Sequence, residues 1–156
     1  MDFEHSPETR DLTAKVQDFV RDEILPRNRD WQEWVRTNPG DPDWMQALRQ
    51  KARAAGLWNM ALSHLPEGRE GPRLSNVAFA PIAEAMGRLN WAPIVFNCHA
   101  PDVPNMITLI DAANPEQQER YLDPLLDGRV RSGFAMTEPD TASSDARNIA
   151  MRVDRT

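Results

Sequence analysis

Apolar residues recur every three to four positions from Leu12 to Ile24, so that Leu12, Val16, Phe19, Val20 and Ile24 share one helical face. Ser6-Pro7-Glu8 stands just before them, joining a capping hydroxyl, a proline suited to the first helical position and an acid near the positive end of the dipole. This predicts a first helix ending near Pro26. Asp41-Pro42 opens a second, with Trp44, Leu48, Ala52 and Ala55 on its stripe and Gly56 as its stop; Arg49, Lys51 and Arg53 fall off the stripe and read as a solvated face. Periodicity then fails from 57 to 74, where Pro66, Gly68, Gly71 and Pro72 mark a long connection. Ser75 caps a third helix carrying Val77, Ile82, Ala85, Met86 and Leu89, which Pro81 is expected to bend or restart. A fourth runs from Asp102 to Ala113 with Met106, Ile107, Leu109 and Ile110 as its apolar set. Asn114-Pro115-Glu116 repeats the start signal for a fifth, whose Tyr121, Leu122, Leu125 and Leu126 lead to a close at Gly128.

The pattern changes after Gly128. VRSGFAM has no helical spacing and lies between a glycine and Pro139, which predicts a strand over Val130–Met136. The expected fold class is therefore mainly α: a helical domain over residues 1–128, then 129–156 as the start of a β domain that too few residues remain to complete.

Composition narrows the function classes. A formal net charge of -6 over 156 residues argues against general nucleic-acid binding, which relies on neutralising phosphates with Lys and Arg. Cys98 is the single cysteine, so no internal disulfide can form, and a reducing compartment, the cytoplasm, is the expectation. The opening MDFEHSPETR is polar and acidic rather than signal-like, and no run reaches the roughly 18 apolar residues of a membrane span.

Few residues offer chemistry. None of the three histidines has a glutamate three positions before it, which removes the usual carboxylate-bridged metal site of a helical bundle. Cys98 and His99 are adjacent and lack an orienting third group, so packing is the expected role. His64 falls in the Gly/Pro-rich connection and reads as a surface residue, while Trp31, Trp34, Trp44 and Trp58 read as core or interface anchors. The stretch TEPDTASSD, Thr137 to Asp145, differs: amides around a proline-containing turn can converge on an anion or a ring edge, and small side chains allow close approach. The plainer alternative is a turn that only leads into the next strand.

FAMTEPDTASSDARNI resembles the flavin-contacting signature of acyl-CoA dehydrogenases, T-E-x-x-x-G-S-D, in the branch with a TEPDxASSD form; it is one residue longer between Glu138 and Asp145 and has Ser143 where glycine is commoner. KARAAGLWNMAL, AFAPIAEAMGRLNWAPIVFNCHAPDVPNM and YLDPLLDGRVRSGFAM are similar, in order and spacing, to that branch's helical N-terminal domain.

The resemblance implies a bundle followed by a β-barrel domain and a second bundle, with FAD between domains and subunits, an acyl-CoA substrate, a separate electron acceptor and a homo-oligomer. It implies that Phe134, Met136 and Thr137 lie along the flavin ring edge, with the Thr137 hydroxyl available to it. Ser143 and Ser144 would approach the cofactor's phosphates or, for Ser144, the thioester ligand; the extra residue leaves their order open. The proton-abstracting glutamate of the family belongs to the second bundle, so no residue here is assigned as catalytic base, and Glu138 is part of the signature. The chain is expected to be the front portion of such an enzyme and inactive alone; the alternative is a non-catalytic interaction module of the same descent.

Overall fold

The computed structural model describes residues 4–154, and its regular structure there is helical throughout. Helix α1 (Pro7–Phe19) is capped by Ser6, whose hydroxyl accepts from the Thr9 amide at 3.2 Å. The rod does not end at Pro26. It widens into a π turn over Val20–Ile24, where the Leu25 amide donates to the Val20 carbonyl, tightens to a 3-10 turn over Leu25–Arg27, and continues as α2 (Asn28–Trp34). Proline lacks the amide that an α ladder needs, and a change of pitch absorbs that loss without stopping the chain.

Helices α3 (Trp44–Ala54), α4 (Asn76–Met86) and the short α5 (Ala92–Val95) complete the larger core. Val16, Val20 and Ile24 meet Leu48 and Ala52 of α3, Ile82, Ala85 and Met86 of α4, and Trp91, Val95 and Phe96 around α5. Trp31 stacks on Trp91 with ring centroids 5.2 Å apart, and Trp44 meets the same ring edge-on at 5.8 Å. Such pairs contribute about 0.5–1.5 kcal/mol each beyond their burial. Pro81 is accommodated inside α4 without a restart.

A smaller core joins Leu62 and Leu65 to Met106 of α6 (Asp102–Ala112) and to Leu122, Leu125 and Leu126. The last three belong to one composite rod: α7 (Pro115–Gln117), a π turn over Gln118–Leu122, and α8 (Asp123–Leu126). Asn114 and Gln117 form a reciprocal capping box at its start.

The two cores meet at a buried amide cluster. Asn59 and Asn97 both have φ of 55°. The Asn97 side-chain amide donates to Asn59 Oδ1 (2.7 Å) and to the Leu125 carbonyl (2.9 Å); Asn59 Nδ2 and Trp58 Nε1 both donate to the Leu126 carbonyl, at 3.1 and 2.8 Å. These side chains thus serve the carbonyls that the end of α8 leaves without intrahelical partners.

Several expectations need correction. The aperiodic stretch after Gly56 is central to the fold: Leu57, Trp58, Met60 and Leu62 are all buried. Arg49 is buried rather than solvated, paired with Asp41 at 2.9 Å. Val77, Ile107 and Ala55 are exposed despite their places on apolar stripes. No strand occurs among the described residues, and 131–138 has no regular structure where Val130–Met136 was expected to form one. A strand needs a laterally paired neighbour, and none of the described residues supplies it.

Candidate functional site

The site is built where the chain leaves α8. Gly128 takes φ of 67°, turning the backbone beneath the Trp58 ring, and the Arg129 amide donates back to the Pro124 carbonyl at 2.9 Å. Residues 131 and 132 then run to the first turn of α6. There the Asp102 carboxylate, buried among its partners, accepts from both the amide and the hydroxyl of Ser132 at 2.6 Å. The Arg131 guanidinium lies 3.0 Å from the same carboxylate and His99 Nε2 lies 2.9 Å from it. Arg131 also reaches Asp41 (3.4 Å), which holds Arg49. Asn105 donates to the Ser132 hydroxyl at 2.8 Å. Two aspartates, two arginines and a histidine thus share one network, with Arg131 at its exposed edge.

Burial and the neighbouring Arg131 charge push the His99 imidazole below its ordinary range, against the weaker opposing pull of Asp102. Arg49 adds to the lowering and Asp41 opposes it. A folded imidazole that holds its proton less tightly than the unfolded one contributes stability above the ordinary value of about 6.5, and that contribution is lost as pH falls below it. The chain is therefore expected to melt at progressively lower temperature from pH 7 to pH 5, with His99→Gln flattening this part of the profile. An unchanged slope in His99→Gln would show that other groups cause it.

A cleft of about 530 Å³ lies beside this network. Asn105, Thr108 and Leu109 of α6 form one wall, Tyr121, Pro124 and Leu125 a second, and Val130, Arg131, Ser132 and Gly133 its rim. None of its lining residues is a carboxylate or a histidine, so the cleft can receive an apolar or thioester chain but brings no base of its own.

Beyond the rim, residues 133–137 make no hydrogen bond among the described residues, and Phe134 and Met136 are 60% and 44% exposed. Thr137 and Ser144 are exposed as well. Ser143 is different: it is buried, and its hydroxyl accepts from the Glu138 amide (2.8 Å) while donating to the Thr141 carbonyl (3.2 Å). The Glu138 carboxylate in turn accepts from the amides of Ala150 (3.0 Å) and Met151 (2.7 Å), which hold it below the usual carboxylate range. Residues 138–151 therefore close on themselves. The structure brings Phe134, Met136 and Thr137 together on one free segment, and separates Ser143, inside the turn, from Ser144, outside it.

Cys98 is shielded, and burial pushes its thiol up to about 12, which fits packing rather than nucleophilic chemistry. Among the described residues no group of three or more His, Cys, Asp or Glu is arranged to hold a metal, and no helix is long and apolar enough to cross a membrane. Sequence reasoning missed Asp102, Asn105, Arg131 and Ser132. The acid at the first position of α6 was a visible signal, but nothing in one sequence ties it to residues about 30 positions later.

The family model described as acyl-CoA dehydrogenase, N-terminal domain, matches residues 6–129. Among curated relatives, the Mycobacterium tuberculosis protein named "Probable acyl-CoA dehydrogenase FadE2" is 39% identical over 99% of this chain and 38% of its own length. Acyl-CoA dehydrogenase family member 10 of Mus musculus is 41% identical over 92% of the chain and 14% of its own length. A solved structure from Mycobacterium abscessus that carries an acyl-CoA dehydrogenase name superposes with a TM-score of 0.81 at 44% identity, over 94% of this chain and 38% of the other. The chain thus spans about two fifths of these bacterial relatives and less of the animal one.

Proposed function

Because the chain belongs to the acyl-CoA dehydrogenase family, through that family's N-terminal domain, we propose that it forms the helical wall and the first flavin-facing segment of an FAD-dependent enzyme that desaturates an acyl-CoA thioester. The observation that carries this reading is the free segment 133–137, with unpaired amides and outward Phe134 and Met136, continuing directly from the rim of the cleft. Exposed apolar side chains beside unsatisfied donors are what a heteroaromatic ring with acceptor atoms along its edge would cover. In this reading the domain boundary falls near Gly128.

When bound, FAD supplies the acceptor for a hydride leaving the acyl chain. The chain's own contribution is placement. The amides around Phe134, Met136 and Thr137, with the Thr137 hydroxyl, would donate to the ring edge and so favour negative charge there. The cleft between α6 and Tyr121 would take the acyl chain out of water. Ser144, exposed beyond the turn, is free to approach a phosphate or the thioester, whereas Ser143 serves by shaping the turn that presents it. The carboxylate that removes the proton is assigned to residues outside this chain, because the cleft has none and Glu138 is held by two amides.

A chimera tests this directly: the matched portion of the Mycobacterium abscessus protein is replaced by this chain, with the parent run in parallel. The chimera is expected to purify yellow and to oxidise acyl-CoA with an added electron acceptor, while the 156-residue chain alone does not turn over. Thr137→Val in the chimera should weaken FAD retention by about two- to tenfold, the worth of one neutral hydrogen bond, and leave the melt unchanged. A folded, colourless chimera beside a yellow parent would instead favour an interaction module.

A further inference from the structure

We infer that Asp102 is the positioning residue for the segment 133–137; that this segment faces flavin rests on the function proposed above. Ser132 is the last residue before the free stretch to be hydrogen-bonded to the bundle, and both of its bonds to α6 through the carboxylate end on one atom, Asp102 Oδ1. The other oxygen of the same carboxylate is ion-paired with Arg131 at 3.0 Å. Phe134 follows two residues later and Thr137 five, with no intervening bond among the described residues, so the direction in which they leave the bundle is set at Ser132.

The carboxylate is suited to this work. It sits in the first turn of α6, where the helix dipole favours negative charge, and it is 1% exposed, so water does not compete for it. One buried carboxylate that accepts from a backbone amide and a hydroxyl, and is ion-paired with the guanidinium of the preceding residue, fixes both the position and the orientation of a two-residue step. Asp102 touches none of the atoms proposed to meet the cofactor; it acts through Ser132 and Arg131.

The test uses the full chain with its five phenylalanines replaced by 4-fluorophenylalanine, the Phe134 resonance being assigned through Phe134→Leu. Asp102→Ala is expected to shift the Phe134 resonance to its position in the unfolded chain and to speed exchange of the Ser132 amide by about tenfold or more. The Phe19 and Phe96 resonances should not move. Asp102→Asn, which keeps an acceptor oxygen for Ser132, should restore part of both effects, and Asp111→Ala on the exposed side of α6 should produce neither. Unchanged Phe134 and Ser132 signals in a folded Asp102→Ala would overturn the assignment. If that variant unfolds and Phe96 moves too, Ser132→Ala is read in its place: it lies outside the helices, removes the hydroxyl's bonds to Asp102 and from Asn105 while keeping the amide's bond to Asp102, and must shift Phe134 alone for the assignment to stand. None of these readouts involves flavin, so a colourless chimera would sink the function while leaving this result in place.

Discussion

Asn97→Ala is expected to cost about 2–5 kcal/mol, a large part of the roughly 5–15 kcal/mol that holds a domain of this kind together. Asn97 is 3% exposed, and its side-chain amide serves Asn59 Oδ1 and the Leu125 carbonyl at once. Alanine leaves Asn59 Oδ1 without its donor in a place water does not reach, at about 1–3 kcal/mol, while the Leu125 carbonyl keeps the bond it accepts from the Gly128 amide at 2.9 Å. It also keeps a side chain on a backbone with φ of 55°, at about 1–2 kcal/mol without the local hydrogen bonds that reconcile asparagine to it. Asn97→Gly should recover about 1 kcal/mol by removing that strain, which separates backbone from hydrogen-bond effects. Urea unfolding of the three proteins measures this, and equal midpoints for alanine and wild type would mean that the end of α8 is held by other contacts.

For Gly128→Ala the expected loss is about 2–4 kcal/mol, the sum of a left-handed backbone and overpacking. A Cβ there would stand 2.9 Å from the Trp58 ring, whose own Nε1 is bonded to the Leu126 carbonyl, so the ring cannot swing aside without losing that bond. Gly56 provides the comparison. It has φ of 73° but nothing within 4 Å of a built Cβ, so Gly56→Ala should cost only the backbone part, about 1 kcal/mol. If thermal melts show equal losses at the two positions, the contact with Trp58 carries no weight. A shifted Trp58 would also move the start of the 129–132 segment, so Gly128→Ala should disturb the Phe134 environment as well as the melt.

The helices were legible because their starts carry local chemistry. Ser6, Ser75 and Asn114 each cap as their surroundings predicted, and Val16, Ile24, Leu48, Ile82, Met106 and Leu122 are buried as their spacing required. What was not legible depends on partners distant in sequence. Leu57 to Leu65 is a core segment without a period, because successive turns at Asn59 and beyond, rather than one helical axis, aim its side chains inward. Arg49 looked like surface since its partners, the Asp41 carboxylate and the Ile94 carbonyl, both lie outside its own helix. Val77 shows the reverse case: an apolar residue in register with a core stripe, left 75% exposed at the first turn of α4. The T-E-P-D stretch was found by its likeness to a family signature, which located the segment but not the division of labour between a buried Ser143 and an exposed Ser144.

The bond from Ser132 to Asp102 also sets an order of assembly. Its acceptor precedes its donor by 30 residues, and everything between them, α6 and the composite rod that ends at α8, must fold back before the two can meet. Closing a loop of that size is an entropic cost met by Met106, Leu122, Leu125 and Leu126 coming together, not by the aspartate itself. During synthesis from the N-terminus, the whole scaffold is therefore made before the segment it orients, and that segment has a defined place to go as soon as it emerges. A lesion in the smaller core would then appear first as a misdirected 133–137, with the larger core around Trp91 still intact.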